Sequence, residues 1–140
     1  MQARLAAGPA LVHWVARTGD LEAARNMAPD FVGEILALSR GDYRWRIGVP
    51  SDGALPGGGA FPTLIQWEGD RHPAAELPQS GCALEMATVR SPHVDAICAT
   101  LDRLGLRADA HLHFAHGEVA AFAVADQPIR GWVKRTAMKA

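Results

Sequence analysis

The predicted secondary structure repeats between the two halves of this chain, and the repeat limits its possible folds more than any other feature. Apolar periodicity and turn residues predict, in each half, one strand, one helix and then three strands. In the first half these are 10–18, a helix from Leu21, 34–40, 43–49 and 63–69. In the second half they are 82–90, a helix over 93–105, 108–116, 118–126 and 131–135. The repeat predicts an α+β fold with two tandem βαβββ modules, at about residues 8–69 and 81–136.

Capping residues mark the start of each predicted helix. Asp20 is predicted to cap the first helix, with Glu22 in the first turn near the positive end of the helix dipole. The second helix is predicted to begin with Ser91 as its N-cap and Pro92 at its first helical position, and to end at Gly105.

Composition and charge exclude several classes of partner. The 140 residues include 14 Lys and Arg against 15 Asp and Glu, and this balance argues against nucleic acid or an anionic membrane as the main partner. No apolar run is long enough to cross a bilayer, and the N-terminus does not have the pattern of a signal peptide. Two cysteines, Cys82 and Cys98, are too few for a disulfide scaffold, so a cytoplasmic location is expected.

Several motifs resemble those of the vicinal oxygen chelate superfamily. The stretch from His13 to Asp20 places a histidine seven residues before a helix start, as in the first module of that superfamily. Residues 41–82 contain W-R-I, P-x-x-I-x-W and H-P-A in the order typical of its glyoxalase-like domain subfamily. The superfamily includes glyoxalase I, bleomycin- and fosfomycin-resistance proteins and extradiol dioxygenases. The resemblance implies two modules that form a curved mixed sheet around a cleft, and a further N-terminal module typical of the subfamily is expected to be absent here.

The resemblance also implies where a divalent metal would bind. Metal-dependent members take ligands from their first, fourth, fifth and eighth strands, and leave positions open for substrate oxygens. His13 matches the first position, whereas Gln66 stands where the family pattern has glutamate. The other two positions fall on Leu84, or alternatively Glu85, and on Trp132 or Val133. No cofactor is therefore expected; if a divalent metal does bind, His13 and Gln66 are its candidate ligands.

Other polar residues alternate along predicted strands. His111 and His113 share one face of a strand and could reach one ion, but a polar or cleft-lining face without an ion is the expected reading of this pair. Arg44 and Arg46 make one face of another strand cationic, and Arg46 could anchor an anionic ligand. Gln66 is expected to face the cleft.

Neighbouring residues on these strands are expected to have structural rather than chemical roles. Ile65 and Trp67 are expected to pack beneath a helix, and Trp14 and Trp45 to lie in the core. Glu68, near the end of its strand, is expected at the surface.

These observations support three hypotheses about function. The first is a cleft that binds a small oxygen-rich or anionic metabolite, for which the candidate binding residues are His13, Arg46, Gln66, Glu85, His111 and His113. It requires His13, Arg46 and Gln66 to converge. The second is a non-catalytic module for drug sequestration or for assembly, with a cleft lined by tryptophan and aliphatic side chains. The third is a divalent-metal-dependent lyase or dioxygenase. A homodimer is expected by analogy with the family, and no catalytic residue can be assigned.

Overall fold

The fold combines two β-sheets with short helices, as predicted for an α+β protein. A computed structural model describes residues 13–69, 72–78, 86–107, 111–117 and 121–124. In chain order its elements are β1 (Val15–Arg17), α1 (Leu21–Met27), α2 (Pro29–Val32), β2 (Glu34–Arg40), β3 (Tyr43–Val49), a 3-10 turn (Pro56–Gly59), β4 (Thr63–Trp67), α3 (Pro73–Glu76), β5 (Ala87–Ser91), α4 (Val94–Arg103), β6 (Leu112–His116) and β7 (Ala121–Val124).

The first half forms a mixed four-stranded sheet with the order β1-β4-β3-β2. β2 and β3 form an antiparallel hairpin around the turn at Gly41 and Asp42, and β3 pairs antiparallel with β4. β1 returns to the sheet through its parallel pairing with β4, with Ala16 opposite Leu64. The predicted order of strand, helix and three strands is therefore present in residues 15–67.

The second half forms a separate sheet with the order β6-β5-β7. β5 lies in its centre, parallel to β6 and antiparallel to β7, whereas β1 lies at the edge of the first sheet. The strand predicted over 131–135 lies outside the described residues, as do 10–12 and 82–85.

The second helix begins later than its sequence predicts. Ser91 is the last residue of β5, where it pairs with His116 of β6 and is buried. The ladder holds Ser91 extended, so the helix begins at Val94 after His93, and the Ser91 hydroxyl instead accepts a hydrogen bond from the His93 backbone N–H at 3.1 Å. The prediction of Asp20 as the first cap is confirmed, because its carboxylate accepts from the Ala23 N–H at 2.9 Å.

One hydrophobic core joins the two halves. Its fully buried side chains come from both sheets and their helices, and the largest are Leu21, Val32, Phe61, Leu64, Val89, Ile97 and Leu101. Trp14 also lies in this core, as predicted: its indole N–H donates to the Ala60 carbonyl at 3.1 Å, and its ring packs 6.3 Å from that of Phe114. The same prediction is wrong for Trp45, which is half-buried and not part of the core. None of the helices in the described ranges has the length and hydrophobicity that a membrane span requires.

The two faces of the first sheet have different surroundings. α1 and α2 cover the face that carries Ala16, Gly48 and Leu64, and a Cβ atom at Gly48 would lie only 2.6 Å from the Val32 carbonyl oxygen of α2. We call this the helix face. The opposite face, which we call the apolar face, carries Leu36, Leu38, Trp45, Ile47, Ile65 and Trp67.

Candidate functional site

A groove of about 460 Å³ lies at one end of strands β2, β3 and β4. We call it the arginine groove, and its lining residues are Ala37, Leu38, Ser39, Arg44, Trp45, Arg46, Gln66, Trp67 and Glu68. The register places six of these residues on the helix face of the sheet: Ala37, Ser39, Arg44, Arg46, Gln66 and Glu68. The groove therefore combines two guanidinium groups with a hydroxyl, an amide and a carboxylate.

Arg46 and Gln66 meet in this groove. They are paired on adjacent strands, and Nη2 of Arg46 donates to Oε1 of Gln66 at 2.7 Å. A second, longer contact of 3.4 Å joins Nη1 of Arg46 to Glu22 of α1. The structure thus brings together two of the three residues whose convergence the metabolite hypothesis requires.

Gln66 also fixes the start of α1. Its Oε1 atom accepts from the Leu21 backbone N–H at 3.0 Å, and its Nε2 atom donates to the Gly19 carbonyl at 2.8 Å. The N–H groups of the first helical turn have no partner within the helix, so this side chain supplies one from the sheet. The expectation that Ile65 and Trp67 pack beneath a helix is wrong for α1, because Gln66 occupies the helix face and these two lie on the opposite one. On that opposite face the Trp67 ring packs 5.1 Å from that of His72, the N-cap of α3.

The ion pairs around the two arginines are exposed and loose. Nε of Arg44 lies 3.9 Å from Glu68, and the two side chains are 65% and 71% exposed. Glu68 is thus at the surface, as expected. Exposed pairs of this kind contribute about 0–1 kcal/mol, so they hold the two guanidinium groups only weakly.

His13 lies apart from the groove. Its Nε2 atom is 2.7 Å from the Thr63 hydroxyl and accepts from the Thr63 backbone N–H at 3.2 Å. Among the described residues no group makes a hydrogen bond of good geometry to its buried Nδ1 atom, although the backbone of Gly59 interacts with the ring. Burial lowers the pKa of His13 below 6.5, and the backbone of Gly59 opposes this shift more weakly. The bond from Thr63 and the lowered pKa both favour the neutral ring, with its hydrogen on Nδ1.

The geometry does not make His13 and Gln66 into a metal site. They lie toward opposite ends of β4, because His13 makes its hydrogen bonds to Thr63, the first residue of the strand, whereas Gln66 is its fourth residue. Each acceptor atom already has partners, because Thr63 occupies Nε2 of His13, and Arg46 and Leu21 occupy Oε1 of Gln66. Among the described residues no group of three or more His, Cys, Asp or Glu side chains is placed to hold a metal ion. Glu85 lies outside the described residues.

The remaining predicted histidines lie near a second groove, of about 560 Å³, between α4 and β6. His113 and His116 line this groove, and Nε2 of His116 is 3.3 Å from Asp95. His111 is not in the strand as predicted: it occupies the turn before β6, where its carbonyl accepts from the Ala87 N–H at 2.7 Å. Of this pair, His113 lines the second groove, whereas His111 lies one residue before the strand.

The fold and the groove define a class of protein: a mixed-sheet α+β domain with a polar groove beside its first helix. The chain belongs to the glyoxalase-like domain family, whose family model matches residues 1–105. This membership is consistent with the vicinal oxygen chelate superfamily. Searches of curated proteins and of solved structures returned no match.

Proposed function

We propose that the arginine groove binds a small oxygen-rich or anionic metabolite, with Arg46 as its anchor. The observation that carries this proposal is the bond between Arg46 and Gln66, which fixes one edge of the guanidinium within the groove. A guanidinium presents several N–H donors in one plane, so an arginine held at one edge can still offer the others to a carboxylate or phosphate.

Arg44 and Ser39 extend this binding surface. Arg44 lies two residues from Arg46 on the same face of β3, and Ser39 is its partner across the β2–β3 pair. A ligand with two anionic groups would contact both guanidinium groups, while Ser39 supplies a neutral hydroxyl. The loose pairs to Glu22 and Glu68 would yield to such a ligand because they are solvent-exposed.

The proposed binding uses guanidinium charge and needs no metal ion. His13 is not part of it, because His13 lies beside Thr63 at the other end of β4. No catalytic role is assigned to Ser39 or Glu68, the hydroxyl and the carboxylate of the groove, and the proposal concerns binding rather than a reaction.

We further propose that residues 81–136 complete a second βαβββ module, and that the two modules flank a cleft. Support comes from the order β5, α4, β6, β7 and from the core that both halves share. Cys98 is a free thiol, which suits the cytoplasmic location proposed for the protein.

Calorimetric titration of the metal-stripped full chain tests the binding proposal. The probes are inorganic phosphate, a dicarboxylate series and a set of sugar phosphates. We expect at least one probe to bind, and Arg46→Gln to weaken its affinity about tenfold or more through loss of a charge-assisted contact. Arg17→Gln, which removes the same charge from β1, is the matched control. Failure of every probe to bind, or equal loss in both variants, would contradict the proposal.

Assembly is a second candidate function, favoured by the apolar face. Leu36 and Leu38 are 43% and 44% exposed there, beside the half-buried Trp45 and Ile47. The assembly hypothesis requires such a surface, lined with tryptophan and aliphatic side chains while Arg46 and Gln66 lie on the other side of the sheet. The oligomeric state of the full chain in solution tests it.

A further inference from the structure

Strand β2 forms an outer edge of the first sheet. It pairs with β3 on one side, and within the described ranges no strand pairs with its other side. Six of its seven residues are exposed and the seventh, Ile35, is half-buried. A seven-residue edge with two exposed leucines is a template for pairing with another strand, and proteins usually shorten, charge or cover such edges.

The hairpin turn determines which backbone groups of β2 point outward. Gly41 and Asp42 form a tight hydrogen-bonded turn, which is closed by the pair Arg40 and Tyr43. Inward and outward bonding alternates along an antiparallel strand. The even-numbered residues of β2 therefore bond to β3, and Ile35, Ala37 and Ser39 direct their N–H and C=O groups toward the open edge.

We propose that β2 pairs antiparallel with β2 of a second copy of this chain, about a two-fold axis at Ala37. In this register Glu34 of each copy lies opposite the partner's Arg40, and Leu36 lies opposite the partner's Leu38. Within the described residues neither Glu34 nor Arg40 has an ion-pair partner in its own chain. The strand is thus complementary to itself in both charge and hydrophobicity.

The other symmetric registers lose this complementarity. An axis at Ile35 places Glu34 opposite the partner's Leu36, and an axis at Ser39 places Leu38 opposite the partner's Arg40. An axis at Leu36 or Leu38 sets that leucine opposite its own copy, but it places Glu34 opposite the partner's Leu38 or Leu36 opposite the partner's Arg40. All four alternatives set a charge against a leucine, and none pairs Glu34 with Arg40. Because mismatched registers are disfavoured in this way, the sequence of β2 selects the axis at Ala37.

Pairing at this edge also joins the apolar faces of the two copies. Glu34, Leu36, Leu38 and Arg40 all project to the apolar face, because alternate residues of a strand share a side. The result is a continuous eight-stranded sheet. This inference rests on the proposed assembly function and names the contact by which it would occur.

Charge reversal with rescue tests the proposal on the full chain. We would measure the dimer dissociation constant of the wild type by sedimentation equilibrium between about 1 and about 300 µM, the range suited to an interface of modest area. Glu34→Arg and Arg40→Glu each place like charges opposite each other at both ends of the strand pair. Each should raise the dissociation constant about tenfold or more.

A double variant and a mixture decide whether the charges act across the interface. The double variant Glu34→Arg/Arg40→Glu should regain the dimer, and an equimolar mixture of the two single variants should form a heterodimer. Ala37→Pro removes the outward N–H at the axis and should give a monomer, with circular dichroism to confirm folding. Arg17→Glu on β1 makes the same charge change as Arg40→Glu at the other edge of the sheet, and should leave the dimer unchanged.

Two results would overturn the edge pairing, and they differ in what they imply for assembly. A wild type that stays monomeric throughout the concentration range removes both the edge pairing and the assembly function. A dimer that resists Glu34→Arg, Arg40→Glu and Ala37→Pro removes the edge pairing alone, because the copies then associate through another surface.

Discussion

Arg46 and Gln66 lie opposite each other on β3 and β4, and the 2.7 Å bond between them connects the arginine groove to the first helix. The same amide oxygen accepts from Leu21, the first residue of α1, while the amide nitrogen donates to Gly19. One side chain thus positions the guanidinium and holds the helix start against the sheet. Groove geometry and helix docking are therefore coupled.

Gln66→Leu should destabilise the protein and disorder the groove together. Leucine has a similar size but leaves the Leu21 N–H without its partner, and a buried donor left without a hydrogen bond costs about 1–3 kcal/mol. The Gly19 carbonyl is exposed, so water can replace the amide there. Urea unfolding measures the free energy of unfolding. Glu68→Leu, on the same face of the sheet but exposed, is the matched control and should change it by less than about 0.5 kcal/mol. If both substitutions changed the free energy of unfolding equally, the hydrogen bonds of Gln66 would not stabilise the folded protein.

Local signals in the sequence predicted local structure well. Asp20 caps α1 as expected because an N-cap bond spans only three residues, from Asp20 to Ala23. Strands β2 and β3 have the predicted bounds because the turn between them is short. The start of α4 was mispredicted because Ser91 is held by a ladder with β6, a contact that no local pattern reports.

The candidate site depended on contacts between distant residues, and these were predicted only in part. Arg46 was recognised as an anchor from its alternation along β3, which is a local pattern. The contact between Gln66 and Leu21 spans 45 residues, and the one between His13 and Thr63 spans 50. Only the assembled sheet shows that Gln66 forms its hydrogen bonds with Arg46 and the start of α1, whereas His13 forms its own with Thr63. A polar residue in a strand beside a helix start was the one available signal for the role of Gln66.

Gly48→Ala should destabilise the packing of α2 on the sheet. The added methyl group would lie 2.6 Å from the Val32 carbonyl oxygen and 2.7 Å from Val32 Cγ1, so the helix must move or the strand must bend. Overpacking of this kind costs about 1–3 kcal/mol, measurable by thermal or urea unfolding. Gly19→Ala is the control, because a Cβ atom there meets nothing within 4 Å. A Gly48→Ala protein as stable as that control would mean that α2 packs more loosely on β3 than the structure shows.

Titration with Ni²⁺, Zn²⁺, Mn²⁺ and Fe²⁺ should not show a site that depends on His13. The ring nitrogen that faces Thr63 is already bonded, and Gln66 lies on the helix face. We therefore expect the calorimetric isotherms of the metal-stripped wild type and of His13→Ala to coincide. Micromolar binding of one ion per chain that disappears in His13→Ala would contradict this, and would indicate that residues outside the described ranges complete a metal site with His13.

Stability should fall with decreasing pH in a way that His13 partly controls. Burial lowers the pKa of His13 in the folded protein, whereas in the unfolded chain the group titrates near 6.5. Between these two pKa values the unfolded chain binds more protons than the folded one, so the free energy of unfolding decreases as the pH falls below about 6.5. Above that pH His13 is neutral in both states, so it does not make the free energy of unfolding depend on pH.

His13→Gln isolates this contribution, because its side-chain oxygen can still accept from the Thr63 N–H but does not titrate. Urea unfolding from pH 8 to pH 5 should show a smaller loss of stability for His13→Gln than for the wild type, and parallel curves above pH 7. The NMR titration of the His13 ring should give a midpoint below that of a histidine in an unstructured peptide. If the two proteins lost stability equally below pH 6.5, the ring would accept a proton without cost, which is incompatible with its burial and with the bond that Nε2 accepts from the Thr63 N–H.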